Sequence, residues 1–329
     1  MNRTLAQMLH SRERELRNLH GISWRITGIA SRRLGWIANP EGLDVALLYG
    51  GRTLALASFP GATAYADVRQ WLLAAKAEVL FESTSLNART GEPAIDHLRA
   101  ALEVGAHAIT ANKGPIVHAY EELCELSSAK RKRFLFESTV MDGVPIFSLF
   151  RDTLPTVRLQ GFRGILNSTT NVILTGMERG ASFEQSLKKA QEVGVAEADA
   201  SDDIDGWDAA VKVAALVRVL MGVKLCLDDI SREGIRNLSG NRVRSARAEG
   251  RPYKLVCQAS REGSKVVASV RPEQLPLSDP MAMVEGTSSV ICFQTDIFPE
   301  LTIVETNPGL EATAFGLLAD FVRVAKNTS

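Results

Sequence analysis

The chain has 329 residues, 45% hydrophobic and 23% charged, which is the make-up of an ordinary globular protein long enough for two cores. Lysine plus arginine total 38 and so do aspartate plus glutamate, so no bulk charge draws the protein to nucleic acid or to an anionic membrane. The four cysteines and five histidines fall in no metal-ligand spacing and no apolar run could span a bilayer, which argues against a zinc centre, a disulfide scaffold and a membrane protein. Scattered at 124, 226, 257 and 292, the cysteines read as buried free thiols of a cytoplasmic protein, in keeping with an N-terminus that lacks the apolar core of a signal peptide.

Taken in order, residues 3–19 place Leu5, Met8, Leu9, Leu16 and Leu19 on one face of a helix and Arg12 to Glu15 on the other. A short strand, Trp24 to Ala30, runs into Ser31, Arg32 and Arg33. Helices over 66–76, 93–104 and 115–128 then alternate with apolar strands at 79–83, 106–110 and 134–137. That alternation predicts βαβ units and a parallel, doubly wound sheet of Rossmann type. Such a sheet takes its ligand beyond the carboxyl ends of its strands, so the loops at Ser31–Arg33, Glu82–Ser85 and Thr110–Pro115 become candidate binding segments. Arginines after the second strand suit the 2′-phosphate of NADP, where an acid would suit the hydroxyl of NAD. The first strand and glycine-rich turn that open a Rossmann unit have no counterpart before the first helix, and the expectation is that they lie upstream of Met1.

The second half differs in texture. A strand over 157–165 enters the polar run Asn167-Ser168-Thr169-Thr170-Asn171, and a helix over 182–193 follows. Strands at 255–259, 265–270, 288–294 and 301–305 suggest a mostly antiparallel sheet, its first hairpin turning at Glu262-Gly263, and a helix over 312–326 closes the chain. The arginines between 232 and 251 read as a solvated helical face.

Between these elements lies the densest chemistry. Residues 194–212 gather Glu197, Asp199, Asp202, Asp203, Asp205 and Asp208, then reach Lys212 four positions after the last acid on a predicted helix. Helix capping and an Asp208–Lys212 pair would occupy some of these acids. Glu197, Asp199 and at least one more aspartate are left for a cationic ligand group.

Six stretches, TANKGP at 110–115, ESTVMDGVPI at 137–146, GILNSTTNVIL at 164–174, AEADASDDIDGWDAAVK at 196–212, VRPEQLPLSDPMAMVEG at 270–286 and PGLEATAFGLLAD at 308–320, together resemble the homoserine dehydrogenase family over nearly the whole chain. The match is to a short form, without a C-terminal regulatory domain. The resemblance implies a Rossmann-type dinucleotide domain at 1–136, with the last helix, 311–329, packing back on it, and an α+β substrate and dimerisation domain at 137–310. It also implies a homodimer and a reversible, NADP- or NAD-linked conversion between L-homoserine and L-aspartate 4-semialdehyde, on the route to threonine and methionine.

Carried over by motif, Lys212, Lys113 and Asp208 are the catalytic candidates, and Glu197, Asp203 and Thr169 the substrate contacts. Thr84, Asn112, Lys113, Gly309 and Glu311 become cofactor contacts, beside Ser31, Arg32 and Arg33, which are read from their place after the second strand. Backbone carbonyls at Glu137, Val140 and Asp142 correspond to a monovalent cation site, for instance for Na+. A lysine titrates near ~10.4 when unperturbed, so Lys212 or Lys113 needs burial or a neighbouring cation to work as an acid–base group at neutral pH. Ser168 stands where the family usually has glycine, and Asp142 and Val144 lie in a stretch usually richer in it. Two other readings stand beside this one: an oxidoreductase of another amino-acid semialdehyde, and a cofactor-deficient relic that binds an amino acid or a partner protein.

Overall fold

The computed structural model describes residues 1–31, 35–46 and 65–326. The chain forms two compact units, Met1–Pro145 with Gly309–Ser329, and Ile146–Pro308.

The first unit opens with helices α1 (Asn2–Ser11) and α2 (Glu13–His20). The single helix expected here is broken at Arg12, whose backbone leaves helical geometry at φ −101° and ψ 14°, and the second helix stops at Gly21 in the left-handed region. Strands β1 (Gly28–Ser31) and β2 (Gly35–Ala38) pair antiparallel, Ser31 opposite Gly35. This corrects the expected second strand of the parallel sheet. Gly35 takes φ 65°, which glycine reaches at little cost, and the chain turns back on itself before reaching a parallel partner.

Helix α3 (Val68–Ala75) is capped by Asp67, whose carboxylate accepts from the Gln70 backbone N–H. Three strands then build the parallel sheet, in the order β3 (Val79–Glu82), β4 (His107–Thr110) and β5 (Phe134–Leu135). Helices α4 (Ala94–Glu103) and α5 (Gly114–Ala129) connect them. The apolar stripe of the first two helices, Leu5, Leu9 and Leu16, is buried with Ile109 of β4, Leu135 of β5, and Leu317 and Leu318 of the C-terminal helix. Each such leucine stabilises by ~1.5 to 3 kcal/mol on burial.

The second unit carries β6 (Leu159–Ile165), α6 (Ser168–Glu178), α7 (Phe183–Glu192), the short α8 (Ser201–Ile204) and α9 (Trp207–Leu216). After them come β7 (Ser231–Arg232), α10 (Gly240–Ala248), β8 (Tyr253–Glu262), β9 (Lys265–Gln274), β10 (Ser289–Thr295) and β11 (Leu301–Glu305). The sheet runs β11-β10-β6-β8-β9-β7 and is antiparallel except where β7 joins β9. The β8–β9 hairpin turns at the expected place, with Gly263 at φ 63°. Helix α11 (Leu310–Lys326) then returns to the first unit.

Sequence pattern explains the helix boundaries best where side chains cap them. Ser182 and Gln185 form a complete capping box at α7, and Asn167 caps α6. The helix predicted to carry Asp208 and Lys212 is preceded by α8 and by Gly206 at φ 81°, and closes on a wide turn that Gly222 terminates. Of the basic run, only Arg242, Arg244 and Arg247 lie on α10; Arg232 belongs to β7 and Arg236 to the loop after it. Among the cysteines, Cys257 and Cys292 are buried and Cys124 half-buried, whereas Cys226 is exposed, against expectation.

Candidate active site

The second unit gathers the acidic segment onto one amide. Asn167, at the entry to α6, donates from Nδ2 to the Asp203 carboxylate at 2.6 Å and to the Asp208 carboxylate at 3.1 Å. Its Oδ1 accepts from the backbone N–H and the hydroxyl of Thr170, both at 2.9 Å. The side chain is therefore fully engaged, and one residue both starts a helix and holds two acids side by side. Lys212, one turn after Asp208 on α9, donates to the Leu166 carbonyl at 2.5 Å and lies 3.5 Å from Asp208 Oδ2. Both side chains are mostly enclosed, at 16% and 17% exposure, so the pair is far less screened than a surface pair. Thr169 places its hydroxyl 3.2 Å from the Val195 carbonyl, beside Asp203.

Burial, and then the Asp208 charge, push the Asp203 carboxyl above the usual carboxylate range, against hydrogen bonds from Asn167 and Thr169 and the Lys212 charge. Two carboxylates this close keep their charge best with a cation between or beside them. Cys257, fully enclosed behind this cluster, is pushed by burial up to about 12, so it stays a thiol and adds no charge.

The remaining acids behave differently. Asp199 accepts from the backbone and hydroxyl of Ser201 at 3.0 and 2.6 Å, a local turn that holds it below the usual range. Asp205 is bound by Arg236 through two hydrogen bonds of 2.8 and 2.9 Å. Both have structural partners, which corrects the expectation that Asp199 was left over for a ligand. Glu197 is exposed, and its carbonyl accepts from the Gln191 amide at 3.2 Å. Ser168, in place of the family's glycine, has no strained backbone, and its hydroxyl donates to the Thr287 carbonyl.

In the first unit the loops at the carboxyl ends of β3 and β4 form a second cluster. Glu82, 3% exposed, accepts from the backbone and hydroxyl of Thr84 at 2.7 and 2.5 Å and from the Thr110 hydroxyl at 2.7 Å. Asn112 donates to the Thr84 carbonyl at 3.1 Å and accepts from the Gly114 N–H at 2.9 Å. Thr84, Asn112 and Lys113 are thus brought together at one edge, with Glu82 and Asn112 as its internal frame. The sequence places Glu82 in a candidate binding segment but does not show it as the acceptor that ties Thr84 to Thr110. A hydroxyl, an ammonium and turn backbone at the carboxyl edge of a parallel sheet suit an amide or phosphate ligand.

Gly309 and Glu311 lie together at the start of α11, where a Cβ on Gly309 would come 2.9 Å from Glu311 Oε2. Ser31 closes β1 in the hairpin and does not sit at the end of a parallel strand, while Arg32 and Arg33 lie outside the described residues. Around Glu137–Asp142 the side chains are committed to α11. Glu137 pairs with Arg323 at 3.1 Å and donates its backbone N–H to the Asp320 carboxylate at 2.8 Å, and Asp142 accepts from the Thr313 hydroxyl. Asp142 takes φ 46°, the region where glycine is at ease and aspartate is tolerated.

Residues 145–322 match the family model described as homoserine dehydrogenase. The NAD(+)-dependent homoserine dehydrogenase of Pseudomonas canavaninivorans is 34% identical over 332 residues, covering 100% of this chain and 94% of that protein. Among solved structures, the homoserine dehydrogenase of Thiobacillus denitrificans superimposes with a TM-score of 0.82 and 28% identity, over 99% of this chain and 71% of that one. A hyperthermophilic archaeal homoserine dehydrogenase in complex with NADPH gives a TM-score of 0.81 and 26% identity, over 99% and 95%.

Proposed function

The chain belongs to the homoserine dehydrogenase family, and on that premise we propose that it interconverts L-homoserine and L-aspartate 4-semialdehyde with NADP or NAD. The observation that carries the reading is the Asn167–Asp203–Asp208–Lys212 cluster, which offers paired acids for an ammonium and an enclosed lysine for a proton. Asp203, with Thr169 and the exposed Glu197, holds the amino end of the substrate. Asp208 fixes Lys212 along the turn of α9. The Leu166 carbonyl and Asp208 hold the Lys212 ammonium in place, and from there it is positioned to give a proton to the oxygen that becomes the homoserine hydroxyl.

The dinucleotide, when bound, supplies or accepts the hydride at the neighbouring carbon. The loops of Thr84, Asn112 and Lys113 in the first unit, with Gly309 and Glu311, would hold it. Lys113, an ammonium at the cofactor edge, is the second acid–base candidate. In this reading 1–136 with the last helix is the dinucleotide domain and 137–310 the substrate and dimerisation domain of a cytoplasmic homodimer. No step is routed through a cation at the Glu137, Val140 and Asp142 carbonyls. Neither the semialdehyde oxidoreductase of another substrate nor the binding relic is favoured by the relatives, all of which are homoserine dehydrogenases as far as they are given above.

The test is the pH dependence of homoserine binding. Asp203 must be ionised to hold an ammonium, and its raised pKa means that this charge is lost at a pH above the ordinary aspartate value of ~3.9. The KM for homoserine is therefore expected to rise as pH falls through that point, with the KM for the dinucleotide unmoved. In Asp203→Asn the KM for homoserine should be high at neutral pH and flat with pH. A wild-type KM that ignores pH down to the ordinary aspartate range would exclude Asp203 from the role.

A further inference from the structure

The carboxylates of Asp203 and Asp208 flank a bend, Ile204-Asp205-Gly206, that joins α8 to α9. Within the bend the Asp205 and Gly206 N–H groups donate back to the Ser201 and Asp203 carbonyls, and Gly206 takes φ 81°. The segment 231–236 packs on its outer side and adds a second set of contacts. The Ile235 N–H donates to the Ile204 carbonyl at 2.9 Å. Arg232 donates to the Asp205 carbonyl and lays its guanidinium over the Trp207 ring, 3.6 Å from the centroid. Arg236 grips the Asp205 carboxylate with both arms of its guanidinium, which holds that acid below the usual range. Gly234 lets the two backbones meet, since a Cβ there would lie 2.2 Å from the Ile204 carbonyl oxygen and 2.6 Å from the Asp205 Cα. The segment is itself anchored to the sheet, by the β7–β9 pairing and by Glu233 N–H to the Val270 carbonyl at 2.8 Å.

We propose that Arg232 and Arg236 are positioning residues for the substrate site: they lock the bend between Asp203 and Asp208 and so fix the geometry with which the two acids meet Asn167. The proposal rests on the functional reading above for what the acids bind, but not for the clamp itself. Two features set it apart from ordinary stabilisation. An exposed ion pair such as Arg236–Asp205 adds little to stability, and both arginines act on the one residue midway between two acids that share a single amide. A guanidinium is suited to this task because its planar fork grips a carboxylate and stacks on an indole in one fixed orientation.

The experiment compares the full-length wild type with Arg232→Met/Arg236→Gln and with the milder Arg236→Gln alone, which serves if the double variant does not fold. Two quantities are read: steady-state constants with L-homoserine and NADP or NAD, and the titration of the Asp203 carboxyl by isotope-edited NMR. With the clamp removed, the KM for homoserine is expected to rise ~tenfold or more while the dinucleotide KM stays within about twofold, and Asp203 is expected to titrate closer to an ordinary aspartate. A fall in kcat with both KM values unchanged is a smaller active fraction, and it overturns the proposal. So does an unmoved Asp203 titration, or an unmoved homoserine KM. If wild type does not turn over homoserine yet Asp203 still shifts in the variant, the functional reading fails and the clamp stands. If neither activity nor a shift is seen, both fail.

Discussion

Replacing Lys212 by methionine is expected to lower kcat by ~10²- to 10⁴-fold, the span of a lost acid–base group, with kcat/KM for homoserine falling in parallel. Methionine keeps the length and the apolar stem of the lysine, so the fold should survive. What disappears is the ammonium whose Nζ lies 2.5 Å from the Leu166 carbonyl oxygen and 3.5 Å from Asp208. The circular dichroism spectrum and the dinucleotide affinity should match wild type, which separates lost chemistry from lost structure. Turnover within about twofold of wild type would remove Lys212 from the reaction and leave Lys113 as the acid–base residue.

The largest stability effect is expected far from that chemistry, at Lys254. Its side chain is completely buried in β8, donates to the Val284 carbonyl at 2.7 Å, and lies 3.4 Å from Asn171 Oδ1. Burial lowers its pKa, and the charges of Glu178 and then Glu285 oppose the shift. Glu178, with a side chain only 3% exposed, is pushed up by burial and has Arg247 at 3.7 Å as its nearest cation partner in an ion pair. Lys254→Met therefore leaves the buried Val284 carbonyl without its donor and takes a nearby positive charge away from Glu178, a change that costs ~1 to 3 kcal/mol. The unfolding midpoint should fall by about 5 °C. The double variant Lys254→Met/Glu178→Gln should recover only the part of the loss that comes from the Glu178 charge, because Arg247 still pairs with that side chain in the single variant. A midpoint within about 2 °C of wild type in the single variant would mean that Lys254 adds nothing net.

These two residues mark how far the sequence could be read. Lys212 was legible because its partner is local: Asp208 sits one turn earlier, and the crowding of acids before a helix pointed to a site. Helix starts were legible for the same reason, as at Ser182 with Gln185 and at Asp67 with Gln70. Lys254 was not legible. It stands in a strand buried at five consecutive positions, Tyr253 to Cys257, so the alternation that would have turned it to solvent does not apply. Its partners are distant in sequence, 30 residues away at Val284 and 83 at Asn171. Arg236 is hidden in the same way, 31 residues from Asp205, and composition alone made it part of a solvated basic face. Asn167 stood in a polar run whose cap role could be read, but not its grip on two acids that arrive from a later segment. The pairing of β1 with β2 shows the limit for short strands, where a short apolar run fits a parallel or an antiparallel partner equally well.

The most direct test of the account is L-homoserine-dependent reduction of NADP and of NAD by the purified chain, followed through the absorbance of the reduced nicotinamide. Turnover that requires homoserine and is lost in Lys212→Met is the predicted result. A folded protein that reduces neither dinucleotide with homoserine would contradict the assignment of Asp203, Asp208 and Lys212 to this reaction.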